Sequence, residues 1–285
     1  MKPAYINERF FQEFISAALR EDLGDGDHSS LASIPAEATS RARLLVKDKG
    51  ILAGAELAWK IFHAVDSRLK VELLLADGSE IREGDIALTV QGSSRSILSS
   101  ERLVLNTMQR MSGIATKTRN MVKLISGTKA QILDTRKTTP NFRLPEKWAV
   151  TIGGGQNHRI GLFDMIMLKD NHIDMAGGIK AAIERTNDYL RASKRNLKVE
   201  IETRNLDEVS QVLETGKVDI IMLDNMTIAT MKEAVKMIGG RFKTEASGGI
   251  TEDTIRGVAE CGVDYISVGA LTHSVRSLDL SLKAF

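Results

Sequence analysis

The residues of this chain best suited to chemistry are crowded between Arg136 and Lys169. That stretch carries Arg136, Lys137, Arg143, Lys147, Arg159 and Lys169 against only Glu146 and Asp164. Arginine grips carboxylates and phosphates through paired hydrogen bonds, and lysine adds a compact charge. The whole chain has a net charge of only +2. The local surplus therefore points to a small anionic ligand rather than to nucleic acid or a membrane surface. With 5% aromatic residues, the chain also lacks the stacking surfaces that bind single-stranded nucleic acid. His158, beside Arg159 in the glycine-rich segment GGGQNHRIGLFD, is either a ligand donor or a structural histidine.

Two further sets of candidates lie downstream. Glu202 and Asp224 end successive apolar runs, and two carboxylates facing a phosphate ligand suit a Mg²⁺ bridge or hydrogen bonds to sugar hydroxyls. General acid–base work is a lesser alternative. Glu200 lies on the same run and is expected to face the opposite side or to sit at another depth; Glu202 is preferred because it is nearer the end. Ser247-Gly248-Gly249 and Gly269-Ala270 offer bare backbone N–H groups for phosphate, and TEDTIRGVAE after the first is expected to add a helix dipole.

These residues need a scaffold that brings them together. Short apolar runs recur from residue 131 onward: QILDT, FDMIMLK, LKVEIET, VDIIMLD, FKTEAS and VDYISVG. Most are followed by a helical pattern such as IKAAIERTNDYLRAS, LDEVSQVLETG or IATMKEAVKMI, which is the rhythm of βα units. Each run turns polar at its end, giving Asp134, Thr135, Arg136 and Lys137, then Lys169 to His172, Glu202, Asp224-Asn225, Ser247 to Gly249, and Gly269-Ala270. Parallel strands would place all of these on one rim, the catalytic face of a barrel. Neither GxGxxG after a first strand nor a Walker motif is present, so a barrel of fewer than eight strands is expected over an open nucleotide-binding sheet.

The chain up to about residue 112 has a different pattern. An amphipathic segment, FFQEFISAALREDL, precedes alternating runs (RARLLVKDKG, LKVELLLADGSEI, IALTVQGSSRSIL) that predict antiparallel strands. ILSSERLVLNTMQRMSGIATKTRNMVKLI is helical, and Ser112-Gly113 in its middle predicts more than one helix. At 285 residues, 42% hydrophobic and 27% charged, the chain is an ordinary globular protein. The first residues lack the apolar core of a secretory signal, and no apolar run reaches the ~18 residues of a membrane span. The single cysteine, Cys261, is read as packing and suits a reducing cytoplasm.

Several stretches together resemble the nicotinate-nucleotide pyrophosphorylase (carboxylating) family, also called quinolinate phosphoribosyltransferase. They are EDLGDGDHSS, SERLVLNTMQRMSGIAT, DTRKTTPNFRLPEKWAV, GGGQNHRIGLFDMIMLKDNHI, IMLDNM, EASGGI and ISVGALTHS. The resemblance implies an α/β fold with an N-terminal α/β sandwich domain over residues 1–112, to which 271–285 return. Residues 113–270 would form an incomplete TIM-like barrel of about six parallel strands. It implies that quinolinate and phosphoribosyl pyrophosphate react, with Mg²⁺, to give nicotinate mononucleotide, pyrophosphate and CO₂, a step of de novo NAD biosynthesis. Arg102, Arg136, Arg159 and Lys169, with His158, would hold quinolinate. Lys137 would reach phosphoribosyl pyrophosphate, Glu202 and Asp224 the ribose and metal, and Ser247, Gly248, Gly249, Gly269 and Ala270 the phosphates. Arg102 would come from a partner subunit, making a homodimer with shared sites. The alternatives are a relative acting on another ring acid and a non-catalytic barrel that binds phosphorylated metabolites.

Overall fold

The computed structural model describes residues 2–285. Its contacts divide the chain into two units: Met1–Arg119 with Thr138–Gly154 and Leu271–Phe285, and Asn120–Lys137 with Gly155–Ala270. The sequence reading placed this division after residue 112 and put 138–154 in the barrel. By contacts the first unit runs past residue 112 because one helix, Ser94–Leu124, continues unbroken through residues 112 and 113; residues 271–285 return to that unit as expected.

That helix corrects the expectation of a break. Ser112 is buried and its hydroxyl bonds both the N–H and the carbonyl of Ala53. A Cβ on Gly113 would meet the Arg276 carbonyl oxygen at 2.3 Å. The two residues that weaken the helix locally are thus fixed by tertiary contact, which outweighs a propensity cost of about 1 kcal/mol.

The first unit is built on a four-stranded antiparallel sheet in the order Leu280–Ala284, Thr39–Val46, Ile86–Ser93, Lys70–Leu73. Alternation along Thr39–Val46 buries Ala42, Leu44 and Val46 on one face. Asn7 caps the helix Glu8–Leu23 by accepting from the Phe10 N–H, and Phe11 of that helix meets Trp148 edge-on at 6.4 Å. Trp148 belongs to the helix Arg143–Ile152, whose Glu146 is fully buried and accepts from Arg110 at 2.9 Å. These packings draw 138–154 into the first unit. They place Arg143 and Lys147, counted in the local charge surplus, in the first unit, where Lys147 is fully buried.

The second unit is a sheet of six parallel strands. In chain order these are Gln131–Leu133, Ile166–Leu168, Val199–Thr203, Ile220–Asp224, Lys243–Ser247 and Tyr265–Ser267. Along the sheet they run first, sixth, fifth, fourth, third, second. The sheet is an incomplete TIM-like barrel, open between the first and second strands, where Gln156 adds a single parallel bridge to Leu133.

Helices Ile179–Ser193, Leu206–Thr215 and Ile228–Ile238 follow their strands as the periodicity predicts. The fourth helical pattern does not. Only Ile255–Ala259 is helical, and a turn held by Thr251 and Thr254 occupies the space after the glycines. The helix behind Ser247-Gly248-Gly249 is therefore shorter than expected and begins only at Ile255.

Candidate active site

Strand alternation explains how polar groups enter the barrel. In the third to fifth strands Ile201, Thr203, Ile221, Leu223, Thr244 and Ala246 share one parity and are all buried. Glu200, Glu202, Asp224, Glu245 and Ser247 occupy the other. The register aligns Glu202 with Met222, Met222 with Glu245, and Asp224 with Ser247. Residues two apart on a strand share a face. Glu200 and Glu202 accordingly both face inward at different depths, the second of the two arrangements the sequence allows.

The deeper carboxylates meet a histidine. His158 Nε2 lies 2.9 Å from Glu200 Oε2 and 3.5 Å from Glu245 Oε2. Glu200 and Glu245 stand on strands separated by the fourth, so they meet across the barrel interior. Burial pushes the Glu200 carboxyl up to about 7, and the nearby charges of Arg159 and Lys169 hold it from rising further. Burial, then the Glu200 charge, pushes Glu245 up to about 8.

Ligand atoms of the three residues fall within 4.8 Å of one another, a spacing that could hold a cation. The histidine argues against that use. Its Nδ1 accepts the Arg159 backbone N–H at 2.7 Å, so the hydrogen of the neutral ring sits on Nε2, the nitrogen nearest the carboxylates. Metal-bound histidines instead donate from the nitrogen not on the metal. The cluster holds a proton and orients the start of Arg159. Glu245 was missed in the sequence; the available signal was a carboxylate on the inward parity of an otherwise apolar strand.

His158 and Arg159 are carried to this place by Asp134. That fully buried carboxylate accepts from Asn157 Nδ2 and from the His158 N–H at 2.9 Å. Arg159 is 9% exposed, and its Nη1 reaches the Met165 carbonyl at 3.3 Å. Burial, followed by repulsion from Arg136, lowers its pKa, while Glu200 and Asp164 work the other way. Arg136 and Arg159 therefore sit close enough to repel in a poorly solvated place. Thr135 accepts from the Lys137 N–H at 3.0 Å, turning the chain where the first strand ends and leaving Lys137 exposed.

At the rim, Lys169 Nζ lies 3.7 Å from Glu202 Oε2. The Lys169 backbone N–H donates to His172 Nδ1 at 3.0 Å, fixing the start of the helix Asp170–Ala176. Burial and the charge of Asp224 raise the Glu202 carboxyl above its usual range. The two carboxylates are thus close neighbours, and the donor set of oxygens is one that Mg²⁺ accepts. Gly248 and Gly249 follow with φ of 96° and 60°, conformations that only glycine adopts at little cost. The sixth strand ends at Ser267, earlier than expected: Gly269 lies in the turn beyond it and Ala270 opens the short helix Ala270–His273. Arg102 is exposed on the helix Ser94–Leu124 of the first unit.

Fold and rim together define an α/β-barrel enzyme with Arg136, Arg159 and Lys169 gathered near the strand ends. Residues 114–283 match the quinolinate phosphoribosyl transferase C-terminal domain, and residues 27–112 match the N-terminal domain of the same family. The chain belongs to that family. It is 50% identical over 284 residues to the chloroplastic nicotinate-nucleotide pyrophosphorylase [carboxylating] of Oryza sativa subsp. japonica, covering 94% of this chain and 76% of the relative. A probable nicotinate-nucleotide pyrophosphorylase [carboxylating] of Bacillus subtilis is 39% identical, covering 97% and 94%. The crystal structure of NadC from Streptococcus pyogenes superposes with a TM-score of 0.91 at 38% identity, covering 98% and 99%.

Proposed function

We propose that this chain transfers the phosphoribosyl group of phosphoribosyl pyrophosphate to quinolinate with decarboxylation, forming nicotinate mononucleotide, pyrophosphate and CO₂ for de novo NAD synthesis. The observation that carries this reading is the match of both domains to the quinolinate phosphoribosyl transferase family; in its barrel, Arg159 is nearly buried and feels the charge of Arg136. Such a pair is relieved by a dianion, and quinolinate is one. Lys169 supplies a third positive charge beside the rim carboxylates.

In this reading Arg136, Arg159 and Lys169 bind and orient the dicarboxylate, and His158 holds the Arg159 backbone. Lys137 and the N–H groups around Ser247, Gly248, Gly249, Gly269 and Ala270 receive phosphates. Glu202 and Asp224 would hold Mg²⁺, whose charge would offset that of the pyrophosphate. The same two carboxylates face the sugar as positive charge builds on it, and a fixed negative charge there stabilises the transition state. After transfer, the pyridinium nitrogen stabilises the carbanion left by CO₂.

Arg102 is assigned to the cup of a partner subunit, so the working unit is a homodimer. No helix among the described residues is long and apolar enough to cross a membrane. The buried, unpaired thiol of Cys261 suits a reducing compartment such as the cytoplasm. Two plant relatives carry the descriptions chloroplastic and mitochondrial.

The test is CO₂ release from carboxyl-labelled quinolinate, with phosphoribosyl pyrophosphate, in the presence and absence of Mg²⁺. Stoichiometric CO₂ and nicotinate mononucleotide, dependent on Mg²⁺, are expected. Turnover of nicotinate but not quinolinate would overturn the substrate assignment, and tight binding without turnover would make the barrel a sensor.

A further inference from the structure

One rim residue is held in a conformation that needs a reason. Asn225, directly after the fourth strand, has φ of 53°, a left-handed conformation that asparagine tolerates better than most side chains but rarely adopts without cause. Three contacts surround it. Its side-chain Nδ2 donates to Asp224 Oδ2 at 2.6 Å. Its backbone N–H donates to the Ser247 carbonyl at 2.9 Å, one step beyond the last paired residues of the fourth and fifth strands. Its Oδ1 lies against Gly248 so closely that a Cβ there would stand 2.2 Å away, and 2.9 Å from the Asn225 nitrogen.

We infer that Asn225 is a positioning residue that fixes the Asp224 carboxylate and ties it to the Ser247-Gly248-Gly249 turn, so that the metal-and-ribose side and the phosphate side of the cup keep one spacing. The inference rests on the role proposed above for Asp224. The left-handed turn folds the amide back onto the preceding residue. An extended Asn225 would carry its side chain away from Asp224. The amide occupies Oδ2 and leaves Oδ1 for the cation or the sugar.

The same packing gives Gly248 a second duty. Its φ of 96° already favours glycine, and the Asn225 side chain lies where any Cβ would stand. Asparagine held this way at 225 therefore requires glycine at 248.

The experiment compares Asn225→Gly, Asn225→Asp, Asp224→Asn and the double variant Asp224→Asn/Asn225→Gly in the full-length enzyme. Glycine keeps the left-handed backbone and removes only the amide, so its melting temperature should stay within a few degrees of wild type. A hydrogen bond to a charged group is lost, and a fall of about tenfold or more in kcat/KM for phosphoribosyl pyrophosphate is expected, with more Mg²⁺ needed for half-activation. Quinolinate affinity by titration calorimetry should be unchanged.

Asn225→Asp keeps the shape but sets a second carboxylate on Asp224, and it should lose more activity than the glycine variant. If Asn225 acts through Asp224, the double variant should be no worse than Asp224→Asn alone. Wild-type kcat/KM and Mg²⁺ response in Asn225→Gly, beside a crippled Asp224→Asn, would overturn the role of Asn225 only. Full activity in Asp224→Asn would sink the reading of Asp224 itself. Equal loss of quinolinate and phosphoribosyl pyrophosphate binding in Asn225→Gly would reduce Asn225 to general structure, which also overturns the inference.

Discussion

Replacing Glu245 by glutamine should make the protein more stable at alkaline pH and leave it unchanged at acid pH. Glu245 is fully buried and faces Glu200 across the barrel. Its carboxyl stays protonated in the folded chain up to about 8, against an ordinary value of 4.5. Between those values the folded state keeps a proton that the unfolded state has released. Stability is therefore fully present below the ordinary value and falls as pH rises toward the folded one.

One proton corresponds to about 1.4 kcal/mol per pH unit, so the loss between about pH 5 and pH 7.5 has a ceiling near 3 kcal/mol. Sharing of the burden with Glu200 lowers this to roughly 1–3 kcal/mol. A glutamine amide supplies hydrogens toward Glu200 without having to retain a titratable proton. Urea unfolding of wild type and Glu245→Gln, measured near pH 5 and near pH 8, should show a stability gap of that size only at the higher pH. An equal gap at both, or a variant less stable than wild type near pH 8, would refute the account of the cluster.

Three other outcomes are expected. Arg136→Ala and Lys169→Ala should weaken quinolinate more than phosphoribosyl pyrophosphate in titration calorimetry; equal weakening of both would reassign these cations. Gly113→Ala should destabilise the protein by about 1–3 kcal/mol in urea unfolding, because its Cβ would stand 2.3 Å from the Arg276 carbonyl oxygen; an unchanged midpoint would mean that the chain there yields freely. Arg102→Ala and Lys137→Ala should each be inactive alone, and mixed subunits should regain activity in the dimers that carry one intact cup. No recovery after mixing would place Arg102 outside the shared site.

The barrel was readable because it obeys a local rule. Apolar runs ending in polar residues mark parallel strands, and all six lie where the pattern puts them. The rim residues Glu202, Asp224 and Ser247 were found by the same rule. Other features escaped because they depend on contacts distant in sequence. Ser112 and Gly113 look like a helix break until Ala53 and Arg276 are seen beside them. Glu245 looks like one more charge in KTEAS until His158 and Glu200 close around it. Arg143 and Lys147 swell the charge count between Arg136 and Lys169, and linear proximity does not reveal that Trp148 and Glu146 anchor their helix in the first unit. Helix length after the phosphate turn was overestimated since Thr251 and Thr254 bond each other and hold a turn instead.

The strand Leu280–Ala284 pairs with Thr39–Val46, so two neighbours in one sheet are more than two hundred residues apart in the chain. On a ribosome adding roughly 5–20 residues per second, the earlier strand waits on the order of ten to fifty seconds for its partner. Throughout that interval its backbone N–H and C=O groups form an open sheet edge, the kind of surface on which chains aggregate. The barrel strands, by contrast, all emerge within one continuous stretch between Gln131 and Ser267. Birth of this protein is thus asymmetric: the unit that begins first is sealed last, and its vulnerability during synthesis is set by the length of the barrel inserted between two strands of one sheet.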